Sequence, residues 1–292
     1  MSSQTNKNFS FRFVLAFIIF FSILNLIVTE PVIPILGFHG IIASKTPASR
    51  LEQGYMHYPQ QDLEKILEHL IVHDYWFLTT QDLYDFFLTK SKKIPKEHSN
   101  EKPIMISFDD GYKTVYTNLL PILSKFEKKY GKKVKVVLFI NPGTLEQRSN
   151  TAIHLGCQEL REGFKQGFYD IQSHGLNHKD LTILNRQELV KELLQAQIQL
   201  RKCTQDLDPQ QKVASHLAYP YGASNKQVQF YASKYYLSSY LYNNKMLDYG
   251  CLKNYYEIPR IPINRQIPFQ KMLQEVAEGF NKIKSQQKCE GK

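Results

Sequence analysis

Short, branched apolar runs alternate with amphipathic helical stretches through most of this chain, and that alternation restricts its fold more than any other feature. Tyr75 to Leu78, Pro103 to Phe108, Val134 to Ile140 and Phe168 to Gln172 read as strands. Between them, Pro59 to Asp74 carries Leu63, Ile66, Leu67, Leu70 and Ile71 at helical spacing, and Thr80 is expected to cap a helix over Gln81 to Leu88. A further helix runs through Leu119, Leu120, Ile122, Leu123 and Phe126, ahead of a basic turn at Lys128 to Lys133. Asn185 caps a long helix through Leu189, Leu193, Leu194, Ile198 and Leu200, whose leucines are core. Strand and helix in this order favour an α/β protein built on a parallel sheet. At 292 residues and 42% hydrophobic content, with no internal repeat, one domain with a sizeable core accounts for the chain.

Three short segments carry chemistry. The strand from Pro103 runs into Ser107-Phe108-Asp109-Asp110-Gly111, which places two carboxylates where a strand meets a turn. Adjacent strand residues face opposite ways, but a turn beginning at Gly111 lets both reach one cavity, one to bind metal and its neighbour to move protons. Asp-Asp-Gly is also ordinary solvated-turn chemistry. Beyond the strand ending near Gln172, Ser173-His174-Gly175-Leu176-Asn177-His178 sets two imidazoles four residues apart, a spacing at which they converge in a helical turn or tight loop. Two histidines and a carboxylate with open positions suit a divalent transition metal. The third segment is Ala218-Tyr219-Pro220-Tyr221-Gly222.

In order and separation, these segments resemble the first three motifs of the polysaccharide deacetylase family, the NodB homology domain or carbohydrate esterase family 4. Pro34 to Ile41, containing Phe38-His39, and Trp76 to Thr80 resemble the poly-β-1,6-N-acetylglucosamine de-N-acetylases of biofilm systems. The resemblance covers about residues 32 to 270. It implies a distorted (β/α) barrel, circularly permuted relative to the wider family, with its site at the strand ends. It further implies that Asp110, His174 and His178 hold a divalent metal and that Asp109 is the general base. Zinc is the expected ion, although cobalt, nickel and iron accept the same ligands.

The departing amine needs an acid, which in much of the wider family is a histidine in a C-terminal motif. Here no histidine follows His216, but Phe38-His39 falls where the biofilm deacetylases carry an aromatic-His pair on the first strand, so the resemblance implies His39 as the acid, and an imidazole is the side chain type suited to donating a proton near neutrality. A buried strand histidine is the alternative reading. Tyr221 matches the position whose backbone N–H stabilises the oxyanion. Arg260, in Ile258-Pro259-Arg260, matches a position from which it would orient Asp109, with a surface arginine as the alternative. Position 175 is Gly where the family usually has Ser or Thr, so a hydroxyl that braces the loop is missing, Ser107 replaces the commoner Thr, and no Arg precedes the Pro-Tyr-Gly segment. These departures bear on loop rigidity and rate more than on metal binding. His216 reads as structural, while Tyr112, Tyr219 and Tyr221 lie where sugar rings would stack.

Lys7 and Arg12 precede the apolar run Phe13 to Val28, which reads as an export signal or a short membrane anchor that places the catalytic domain outside the cytoplasm, membrane-anchored or secreted. The expected organisation is thus a leader or anchor over 1–30, a deacetylase domain over 31–285 and a polar tail over 286–292. Cys157, Cys203, Cys251 and Cys289 are widely spaced and read as isolated structural thiols, with room for one disulfide in an exported domain. A net charge of +10 is spread along the chain without a nucleic-acid motif, so nucleic acid is not an expected partner. The resemblance implies an N-acetylated polysaccharide, and an uncleaved N-terminal segment would add the membrane. The leading expectation is removal of N-acetyl groups from an N-acetylglucosamine polymer. The alternatives are a deacetylase of peptidoglycan or chitin-like oligomers and a catalytically silent carbohydrate-binding protein of the same fold.

Overall fold

The computed structural model describes residues 32–43, 56–147 and 153–281. The expected leader or anchor and the polar tail at 286–292 lie outside these residues. Among the described residues, no helix is long and apolar enough to cross a membrane.

The strands are β1 (Ile35–Phe38), β2 (Ile41–Ile42), β3 (Tyr58–Pro59), β4 (Tyr75–Phe77), β5 (Lys102–Asp109), β6 (Val136–Ile140), β7 (Tyr169–Ser173), β8 (His216–Ala218), β9 (Ser238–Tyr240) and β10 (Ile261–Pro262). The longer helices are α1 (Gln60–Val72), α2 (Leu120–Tyr130), α3 (Cys157–Lys165), α4 (Arg186–Thr204), α5 (Lys226–Ala232) and α6 (Phe269–Asn281). One parallel sheet runs in the order β10-β1-β5-β6-β7-β8-β9, with β4 also on β5, while β2 and β3 pair separately. The stretch after β9 links the two edges of this sheet. Ile258 exchanges backbone hydrogen bonds with the β9 region, and β10, just beyond it, pairs with β1.

Side-chain alternation sets what each face does. Ile104, Ile106 and Phe108 of β5, with Val136, Leu138 and Ile140 of β6, pack outward against Leu63, Ile66, Leu67 and Leu70 of α1 and Leu123 and Phe126 of α2. Burying each of these side chains stabilises the fold by roughly 1.5–3 kcal/mol. Met105, Val137, Phe139, Ala218 and Tyr240 point inward and fill the barrel with Ile33, Ile35 and Trp76. Period-2 alternation from Met105 therefore carries Ser107 and Asp109 to the interior as well.

Several local expectations need correction. The cap before Gln81 is Thr79, whose hydroxyl accepts from the Asp82 N–H while the Asp82 carboxylate accepts from the Thr79 N–H. Thr80 is buried instead, and both its N–H and its hydroxyl donate to Asp170. The helix that follows is α-helical only over Thr80–Asp82 and continues as a π-helix over Leu83–Leu88. On α4 Asn185 is the cap, but the buried stripe is Leu189, Leu193, Ala196 and Leu200 joined by Glu192 and Gln197, and Ile198 faces solvent. Among the described residues the cysteines are not isolated thiols, and the disulfide for which the sequence left room is there: Cys157 of α3 pairs with Cys203 of α4, and Cys251 is disulfide-bonded too.

Candidate active site

Asp109 closes β5 with no exposed surface, gripped by Arg260. The guanidinium donates to both carboxylate oxygens at 2.7 and 2.8 Å, the two-pronged geometry that makes such pairs strong. It also donates to the Ser107 hydroxyl at 3.2 Å and the Leu241 carbonyl at 3.3 Å, and its face lies 4.0 Å from the centroid of the Tyr242 ring. Arg260 is thus fully buried rather than on the surface. Burial alone would raise the Asp109 pKa, but the Arg260 charge, then His174, outweighs it and holds the carboxyl well below the usual range.

The next two residues both lie in the left-handed region, Asp110 at φ 70° and Gly111 at φ 73°. Asp is one of the few side chains that tolerate this conformation, and here it swings the second carboxylate back over the same cavity. Asp110 Oδ1 sits 3.3 Å from His178 Nε2 and 3.5 Å from His174 Nε2. His174 Nδ1 lies 2.8 Å from the Ala218 carbonyl, which can only accept, so the ring proton is on Nδ1 and the Nε2 lone pair faces Asp110.

Asp110, His174 and His178 each offer a ligand atom, all within 4.8 Å of one another, and Asp110 Oδ1 is buried without a hydrogen-bond partner. Lone pairs gathered in this way repel unless a cation or proton lies between them. Two imidazoles and a carboxylate suit a divalent transition metal, so the residues present fit one. Burial pushes the Asp110 carboxyl up to about 6, with the Asp109 charge adding to the effect and His39 opposing it. Burial holds His174 down at about 3 and lowers His178 as well.

Below about pH 6 the metal-free protein therefore takes up a competing proton on Asp110. Zinc affinity, measured by competition with a chromogenic chelator, is expected to be flat above about pH 6 and to fall about tenfold per unit below it. An affinity that stays flat as pH falls through about 6 would count against this assignment. The sign for stability is opposite. The folded pKa of Asp110 is raised, so its contribution to the metal-free fold is present at low pH and lost as pH rises through about 6.

The loop carrying the two histidines is braced on both sides. Asn141, buried just past β6, donates from Nδ2 to the carbonyls of His174 and Gly175. Glu192 of α4, 2% exposed, accepts from the backbone N–H groups of Leu176 and Asn177 at 3.0 and 2.8 Å and from Asn177 Nδ2 at 2.9 Å. Gly175 has φ 76°, which a Ser or Thr adopts only with strain, so the hydroxyl brace is replaced from outside the loop. Sequence reading missed Asn141, Glu192 and Tyr242. Glu192 did leave a signal, as a charged residue within the apolar stripe of α4.

His39 follows β1, with its ring stacked 6.0 Å from Tyr242 and its Nδ1 buried without a hydrogen-bond partner. Tyr221 stands at φ 60°, 66% exposed, with its ring edge-on to His178 at 4.6 Å. Tyr112 lies between His57 and His154. Tyr219 is unavailable to a sugar: it is fully buried and its hydroxyl donates to the Tyr256 carbonyl. His216 is buried against Ser238 at 2.8 Å, inside the barrel.

The family model described as polysaccharide deacetylase matches residues 96–239. The chain carries a polysaccharide deacetylase domain. The polysaccharide deacetylase match takes in Asp109, Asp110, His174, His178 and Tyr221, while His39 and Arg260 lie outside it. The poly-beta-1,6-N-acetyl-D-glucosamine N-deacetylase of Staphylococcus aureus (strain MRSA252) is 29% identical over 169 residues, 57% of this chain and 54% of the relative. The chain thus spans about half the length of the curated relatives it matches. Among solved structures, the Streptococcus pyogenes deacetylase PplD in complex with acetate shares the fold at a TM-score of 0.69 with 22% identity, over 84% of this chain and 98% of that one. IcaB from Ammonifex degensii does so at a TM-score of 0.61 with 14% identity, over 85% and 98%. The curled parallel sheet with its helices is the distorted (β/α) barrel of polysaccharide deacetylases.

Proposed function

We propose that this chain is a metal-dependent N-deacetylase of an N-acetylglucosamine polysaccharide, with poly-β-1,6-N-acetylglucosamine as its substrate class. The observation that carries the reading is the convergence of Asp110, His174 and His178 beside the Arg260-held carboxylate of Asp109. The name of the Staphylococcus aureus relative supports the choice of polymer. Placement outside the cytoplasm draws support from the apolar run Phe13 to Val28 and from the Cys157–Cys203 disulfide, a bond that persists in oxidising compartments.

Asp110, His174 and His178 hold the metal. The chemistry a divalent cation supplies in such a set is polarisation of the acetamide carbonyl and acidification of water. Asp109, kept ionised by Arg260, takes the proton of the attacking water. The backbone N–H of Tyr221 donates to the oxygen that gains negative charge, and His39 returns a proton to the sugar nitrogen as the C–N bond breaks. Acetate and a free amine leave.

Acetate release from β-1,6-linked N-acetylglucosamine oligomers tests this reading directly. Release is expected to disappear with a chelator and to return with zinc, and His39→Ala is expected to keep zinc while losing about 10²–10⁴-fold in rate. Zinc binding without release from any acetylated glycan would sink the proposal.

A further inference from the structure

Glu192 lies outside the metal set, yet nothing in the core explains a carboxylate at its position. It sits within the buried stripe of α4, between Leu189 and Ala196, where an apolar side chain would pack at no electrostatic cost. No cation pairs with it among the described ion pairs. All three of its described hydrogen bonds go to one loop: Oε2 accepts from Leu176 N and Asn177 N, and Oε1 from Asn177 Nδ2. Both backbone donors lie between the two histidines. On the other flank Gly143 donates its N–H to the Leu176 carbonyl, and a Cβ there would stand 2.6 Å from that oxygen, so the loop is clamped between Gly143 and Glu192.

On the metal-dependent reading above, we propose that Glu192 is the positioning residue of the metal site. Its carboxylate draws the N–H groups of Leu176 and Asn177 toward α4, turning the chain so that His178, at φ 56°, meets Asp110. Gly175 leaves the loop without a hydroxyl of its own at that point, and Glu192 supplies the missing acceptor from a helix. Hydrogen bonds to a charged acceptor are about twice as strong as neutral ones, which suits a residue that must hold two ligands in register.

The test uses the full chain, stripped of metal and titrated with zinc against a chromogenic chelator, alongside thermal unfolding of the metal-free protein. Glu192→Ala is expected to weaken zinc binding about 10–100-fold, the range for residues that orient ligands. Glu192→Gln keeps one good acceptor but sets its amide against Asn177 Nδ2, and is expected to fall between Ala and wild type. It carries the test if the alanine variant does not fold. Gln197→Ala is the control, since Gln197 lies on the same buried stripe but donates to the Ala214 and Tyr235 carbonyls, away from the loop. It is expected to lower Tm with zinc affinity unchanged. Unchanged zinc affinity in the folded Glu192 variants, or equal weakening in Gln197→Ala, overturns the positioning role while leaving the proposed function standing. A wild-type chain that takes up no zinc overturns both.

Discussion

Asp109→Asn is expected to lower the rate of acetate release by about 10²–10⁴-fold, the contribution typical of a positioned proton acceptor. The substitution keeps shape and volume and removes only the charge and one acceptor, so the missing rate reports the base. Zinc affinity is expected to change far less, because the ligand atoms of the proposed metal site belong to Asp110, His174 and His178. The same variant leaves Arg260 buried beside a neutral amide, so a loss of stability accompanies the loss of rate. Rate and stability separate by measuring turnover at a temperature well below the variant's midpoint. Near wild-type turnover there, with zinc bound, would remove Asp109 from the chemistry.

Arg260→Met is expected to cost about 3–5 kcal/mol of stability at neutral pH, because it strands the Asp109 charge in a site with no exposure. The pH dependence gives this loss a signature. In the wild-type protein Asp109 is held below its unfolded pKa, so the pair contributes stability above the unfolded carboxylate pKa of about 3.9 and loses it as pH falls through the lower, folded value. Without Arg260, burial is uncompensated and the folded pKa rises above the unfolded one. The variant is then most stable below about pH 3.9 and weakens as pH climbs through its new folded pKa. The gap between the two proteins therefore widens from acid toward neutral pH. Urea unfolding of the metal-free proteins at both ends checks it, and a gap that does not move with pH would mean that lost packing on Phe139 and Tyr242 is the whole effect.

The strands and helices were legible because their signals are local, whereas closure into a barrel came only with the family resemblance. Branched runs before Asp109 and around Ile171, and the heptad-like apolar spacing of Leu63, Ile66, Leu67 and Leu70, report strands and helices whatever surrounds them. The residues gathered at the strand ends were legible as types at spacings. Their supports were not, because each support is a contact across the fold: Glu192 and Asn141 reach the 174–178 loop from two other elements. Tyr219 failed for a related reason. Sequence proximity to Tyr221 says nothing about direction, and a left-handed residue at 221 sends its ring outward while Tyr219 turns into the core. Thr79 and Thr80 are equally good caps as residue types, and only the half-buried Asp170 decides which hydroxyl is spent elsewhere.

The carboxylate pair and the first histidine hang from the ends of β5 and β7, which are not hydrogen-bonded neighbours in the described sheet; β6 lies between them, with Asp109 opposite Phe139 and Ser173 opposite Ile140. A slip of one residue along either seam would move a side chain by about 3.3 Å and reverse the face it presents. A collapsed chain with a misaligned seam would thus look compact and helical yet be unable to take up zinc. Ion uptake during renaturation therefore reads out the fidelity of strand alignment, which circular dichroism alone does not see.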